Sequence, residues 1–212
     1  MTEELPAVAA ARMAGIRSGG TWGSSLASGE FAAIRSVGFE PVGQVFGASV
    51  YAAGSARASS CPAAVGPRVQ AMYQARHTAI GRMTAECAQL GGHGVVGVRL
   101  CRGSFSLGGL EFTAIGTAVR APGAAYGRRE PFTCDLTGQD FAKLIMTGWV
   151  PAGIALGISI GSRHDDRTTA RQARWTAGNA EVAGWTELVN ESRHGPGASW
   201  KVRSGGSAPR AW

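Results

Sequence analysis

The chain has 212 residues, enough for one large domain or two small ones with buried cores. Its formal charge of +7 comes almost entirely from arginine, because Lys143 and Lys201 are the only lysines. Glu30, Glu40, Glu86 and Glu111 are interleaved with those arginines, so no basic stripe stands out and an arginine-driven nucleic-acid contact ranks last among the readings.

The opening MTEELPAVAAARMAGIRSGG lacks a sustained apolar core, so no export signal is read and residues 1–20 are expected to form a disordered tail. Cys61, Cys87, Cys101 and Cys134 form no C-x-x-C pair, and free thiols in a reducing cytoplasm follow. After Trp22, which opens the first folded unit, EFAAIRSV predicts a short helix stopped at Gly38. The apolar run FEPVGQVFGASVY predicts a strand whose glycines mark bulges or close backbone packing. AAGSARASSCPAAVGP then reads as a small-residue loop. Val69, Tyr73, Ile80, Met83, Cys87 and Leu90 recur at steps of three and four, interrupted by Arg76, and predict the strongest helix of the chain.

That helix runs into LGGHGVVGVRL, four glycines and a histidine at residues 90–100. A phosphate loop places its glycines after a strand and before a helix, where helix amides face the anion. Here the order is helix, glycines, strand, so Gly91 or Gly92 is expected to end the helix in a left-handed cap, and His93 reads as a turn residue before a ligand. VVGVRLCR and LEFTAIGTAVR alternate as two strands of a hairpin through GSFSLGG.

Residues 123–130 form a linker, after which the chain repeats itself. LASGEFAAIRSVGFEPVGQVFGASV from Leu26 aligns without a gap on LTGQDFAKLIMTGWVPAGIALGISI from Leu136, a constant offset of 110 residues. Phe31 falls on Phe141, Gly38 on Gly148, Pro41 on Pro151 and Trp22 on Phe132. In the second copy Thr137 and Asp140 are spaced as a capping box. LIMTGWVPAGIALGISIG carries no charge, yet Gly148 and Pro151 break it where a membrane helix would have to continue. RHDDR, with His164, Asp165 and Asp166, reads as a charged hairpin tip, and Trp185, Leu188 and Val189 begin the counterpart of the long helix.

The run after His194, GPGASWKVRSGGSAPRAW, is one no helix would choose. Read one base out of frame, its codons permit A-R-R-Q-L-E-G-E-V-R-R-L-G-A-E-G-V, a strong helix former that ends in the corner the repeat predicts. A frameshift near codon 195 is therefore expected, leaving Trp149, Ile154 and Leu156 without cover.

LGGHGVVGVRL followed by EFTAIGTAVR resembles the YbjQ-like family of small bacterial proteins. Its hallmark, a helix ending in Leu-Gly, then Val-Val-Gly and a hairpin ending in Gly-Thr-Ala-Val, falls on Leu90, Gly91, Val95, Val96, Gly97 and Gly116, Thr117, Ala118, Val119. The resemblance covers residues 39–120, and more weakly 130–194. It implies an α+β domain that assembles into a ring, typically a pentamer, and it carries a heavy-metal-binding label without a ligand set that transfers residue by residue.

The expected fold is α+β: tandem β-α-β-α-β-β units, each with a long helix on a mostly antiparallel sheet, over residues 21–122 and, incompletely, 131–194, with an irregular tail over 195–212. Cys101, Cys61 and His93 are the candidate ligands for a soft divalent metal ion; Cys87 reads as core and Cys134 lies in the strand opening the second copy. No nucleophile elbow, zinc-helix motif or P-loop occurs, so no enzyme is expected. Two functions remain: a cytoplasmic homo-oligomeric module that binds a soft metal or small ligand, and a structural ring with no metal role.

Overall fold

The computed structural model describes residues 5–52, 65–106, 109–123, 130–161, 163, 166–174, 178–179, 181–194 and 201–202. In chain order these form α1 (Ala7–Arg17), α2 (Ser28–Ser36), β1 (Glu40–Ala52), α3 (Val65–Gln89), β2 (Gly94–Phe105), β3 (Gly109–Arg120), β4 (Phe132–Thr133), α4 (Gly138–Met146), β5 (Ala155–Leu156), α5 (Arg167–Gln172), α6 (Ala183–His194) and β6 (Lys201–Val202). The fold is α+β, and no helix among the described residues is long and apolar enough to cross a membrane.

The described residues divide into two units. The first, within Met1–Ala52, Gln74–Ile154 and Val202–Trp212, holds a four-stranded sheet of order β1-β3-β2-β4. β1 and β2 each pair antiparallel with β3, and β4 joins β2 in parallel. Residues alternate between the two faces of such a sheet. Val45 and Gly47 of β1 and Ala114 and Ala118 of β3 lie on the face that α3 covers with Ala79, Met83, Cys87 and Leu90, all buried. Arg76, the interruption in the apolar stripe, lies 5.1 Å above the Phe112 ring and joins the packing as a cation over an aromatic face.

On the opposite face, α2 and α4 cover one end of the sheet. Ile34, Phe39, Val96, Val119, Phe132 and Phe141 share a buried cluster there. Phe39 meets Phe141 edge-on at 5.2 Å, and Phe132 stacks on Phe141 at 5.8 Å. α2 and α4 have equal length at the 110-residue offset, and the glycines that stop them, Gly38 (φ 81) and Gly148 (φ 84), are both left-handed. The capping box is half made in each. Thr137 accepts from the Asp140 amide at 3.2 Å, whereas Ala27 has no side-chain oxygen and its amide donates to Glu30 at 2.7 Å.

Several expectations are corrected. The disordered tail expected over 1–20 contains α1, anchored by Met13 at 1% exposure and by the ion pair of Arg12 with Glu86. No strand forms around Trp22; its ring instead stacks on Phe31 at 6.4 Å. α3 starts at Val65, inside the expected loop, because Pro67 is tolerated in a first turn. The loop residues 53–64 and the tail residues 195–200 and 203–212 lie outside the described residues.

The outer edge of β1 has its polar backbone occupied by side chains. Gln44 O accepts from Arg12 at 3.2 Å, the Phe46 amide donates to Glu86 at 2.7 Å, and Ala48 O accepts from Arg82 at 2.7 Å. Such an edge offers no template to an incoming strand.

The second unit, within Ala53–Tyr73 and Ala155–Lys201, holds α5, α6 and the start of α3. Leu156 is buried here, not uncovered as expected: its carbonyl accepts from the Tyr73 hydroxyl at 3.5 Å, and the Tyr73 hydroxyl oxygen in turn accepts from the Ile158 amide at 3.0 Å. Trp149, in the first unit, is 58% exposed. Within RHDDR, read as a charged hairpin tip, Asp166 instead caps α5, accepting from the Thr169 amide at 2.7 Å, while His164 and Asp165 lie outside the described residues.

Candidate assembly interface

LGGHGVVGVRL is the surface on which a later part of the chain docks. Gly91 (φ 69) ends α3, which leaves His93 at the corner and starts β2 beside the end of β3. Residues 132–136 then run parallel to β2. The Phe132 amide donates to His93 O at 3.1 Å and the Cys134 amide to Val95 O at 2.9 Å; in return Leu136 O accepts from Gly97 at 3.1 Å and Cys134 O from Val98 at 3.0 Å. Two glycines permit this. A Cβ on Gly94 would occupy the position of the Phe132 ring, and Gly97, left-handed at φ 65, makes the bulge that shifts β2 against β3 between Val96 and Arg99.

The helices follow the strand. Glu30 of α2 reaches across so that its Oε1 accepts from the Gly138 amide at 3.1 Å, the first orphan donor of α4. One carboxylate thereby closes the N-termini of both helices. At the equivalent place in α4, Asp140 bonds locally to Thr137 and Lys143.

The sequence-derived ligands are not brought together. Cys101 is exposed on β2, Cys61 lies outside the described residues, and His93 is partly buried. Among the described residues no three His, Cys, Asp or Glu side chains converge as a metal ligand set. His93 already uses Nδ1 to accept from the Ala121 amide at 3.1 Å, so its Nε2 carries the proton of the neutral ring. Burial, and after it the Arg120 charge, hold the His93 pKa below its ordinary value. With the folded pKa below the unfolded value of about 6.5, this contribution is fully present above that value and is lost as pH falls through the folded pKa. Denaturant midpoints of the wild type should therefore decline on mild acidification more than those of His93→Gln; parallel declines would contradict the assignment.

Burial pushes the Cys87 thiol up to about 12, and likewise the Cys134 thiol to about 12. Neither reacts readily, since the thiolate is the nucleophile. In a Cys61→Ser background, a maleimide should label Cys87 and Cys134 only after unfolding. Native labelling of Cys134 would mean that residues 132–136 leave the β2 edge.

The interface that sequence reasoning missed, β2 against 132–136, was signalled only indirectly, by Phe132 recurring at the position of Trp22. The first unit thus defines a class of protein: an α+β domain, a sheet with one long helix, whose β2 edge receives an extended segment. Residues 39–122 match the YbjQ family model, described as "Putative heavy-metal-binding", and are a domain of that family. An encapsulin nanocompartment protein of Mycobacterium tuberculosis is 38% identical over 141 residues, which cover 63% of this chain and 54% of that protein. A UPF0145 protein of Clostridium perfringens is 44% identical over 48 residues, 23% of this chain and 45% of its own. The chain thus spans about half the length of the curated relatives it matches.

Proposed function

We propose that this chain is an assembly module of the cytoplasm, acting by binding and not by catalysis, in which YbjQ-type units join through the β2 edge. In this reading residues 21–122 and 131–194 are two copies of one unit, and the docking of residues 132–136 and α4 on β2 and α2 is the contact between consecutive copies. The observation that carries it is the set of four backbone hydrogen bonds that hold residues 132–136 to β2 between His93 and Val98, completed by Glu30 at the start of α4. A contact of this head-to-tail kind repeats until a ring closes, so further copies are the natural partners and a pentamer-like ring the natural product. The relative named as an encapsulin nanocompartment protein is consistent with a role in a larger assembly.

Soft-metal binding is the second reading, favoured by the family description and by the exposed Cys101. Native mass spectrometry and metal analysis of the full chain separate the two. Assembly predicts defined oligomers whose mass is unchanged by a chelator and by Cys101→Ser. Stoichiometric metal that is lost with Cys101→Ser, together with loss of the oligomer, favours the metal reading instead.

A further inference from the structure

Among the described residues, α2, α4 and the segment with Ser24 and Ser25 cover only one end of the sheet face opposite α3, and Phe46, Val50, Arg99 and Cys101 farther along that face are exposed. The strand register places Phe46, Ile115 and Arg99 in one row across β1, β3 and β2, then Ala48, Thr113 and Cys101, then Val50, Glu111 and Gly103. Phe46 is 41% exposed, and Val50 and Phe105 are 48% exposed, so three large apolar side chains stand on one face. Scattered apolar residues need no explanation, but large apolar side chains grouped on one exposed sheet face mark an interaction surface.

We infer that this face packs against the same face of a second copy of the chain, about a two-fold axis along the Ala48–Thr113–Cys101 row. The small middle row allows close approach. Reversal about that axis brings Phe46 over the partner's Val50. It also brings Arg99 over the partner's Gly103, where space is left by the missing side chain and where Glu111 leans its carboxylate, 3.9 Å from a Cβ built on that glycine. Neither Arg99 nor Glu111 has an ion-pair partner among the described residues, and the two-fold supplies one for each, twice over. Sheets packed face to face lie about 10 Å apart with their strands nearly aligned, and self-complementary two-fold contacts are the commonest in homo-oligomers. The contact is distinct from the β2-edge docking and does not rest on it, because the residues of the two surfaces do not overlap.

Cys101 lies on the proposed axis and reports on it directly. In a Cys61→Ser background, oxidation or a short bismaleimide should join two full chains through Cys101, and Cys101→Ser should abolish the product. Val50→Asp and Glu111→Arg should each raise the dimer dissociation constant about tenfold or more, measured by sedimentation. Arg99→Glu should do the same, and combining it with Glu111→Arg should restore most of the affinity. The charge exchange carries the test if Val50→Asp folds poorly, because circular dichroism checks each variant. A chain that stays monomeric, a dimer indifferent to these changes, or an exchange without restoration overturns the inference. If only the β2-edge reading fails, the Cys101 cross-link and the charge exchange persist.

Discussion

Replacing Glu86 by alanine should cost about 3 kcal/mol of folding stability in urea denaturation, the larger share of it from groups left behind. The Glu86 side chain is only 3% exposed, yet it accepts the Phe46 amide at the β1 edge and pairs with Arg12 of α1. Truncation leaves that partly buried amide without its acceptor and releases the guanidinium, which is itself 41% exposed and is re-solvated at little cost. Glu86→Gln keeps an oxygen for the Phe46 amide and should lose only about 1 kcal/mol. Equal losses for the two variants would mean that charge pairing with Arg12, and not satisfaction of the strand edge, is what matters. A loss below about 1 kcal/mol for alanine would remove Glu86 from the account altogether.

Gly47→Ala should be of similar size, about 3 kcal/mol, although it adds a single methyl group. A Cβ at that position would run into the Ala79 carbonyl and the Met83 amide nitrogen, which are backbone atoms of α3 and cannot turn aside as a side-chain tip does. The helix must lift from β1, and the contacts of the buried Met83 and Val45 loosen with it. Gly15, inside α1 with nothing within 4 Å of a built Cβ, is the matched control. There alanine should stabilise by about 0.5–1 kcal/mol through helix propensity. If Gly47→Ala proves as benign as Gly15→Ala, α3 does not lie on β1 as described.

Elements whose own residues carry the signal were legible in the sequence. The three-four stripe from Tyr73 to Leu90 predicted α3, the alternation in VVGVRLCR and LEFTAIGTAVR predicted the hairpin, and Gly38, Gly91 and Gly148 marked helix ends by the conformation they adopt. Elements whose stability comes from elsewhere were not. α1 is alanine-rich with a weak apolar face, and its place is fixed by the buried Met13 and by Arg12, whose partner Glu86 lies far along the chain. IALGISI reads as a strand as clearly as VFGASVY does, but only Ala155–Leu156 forms one, because a strand needs a ladder partner as well as a pattern. Of the candidate site, the glycines of LGGHGVVGVRL were visible but their purpose was not. What occupies the space above Gly94 is Phe132, and nothing local to residues 90–100 announces it.

The most direct test of the account is amide hydrogen exchange of the native full chain, read at Phe132, Cys134, Gly97 and Val98. If residues 132–136 pair with β2, these four amides share one protection level, well above that of the exposed turn at Thr147 and Gly148, and Cys134→Pro lowers the protection of Gly97 and Val98 together. Exchange at open-chain rates for all four, or Gly97 and Val98 unchanged by Cys134→Pro, would contradict it: the β2 edge would then be free, and the contact proposed to build the assembly would not exist.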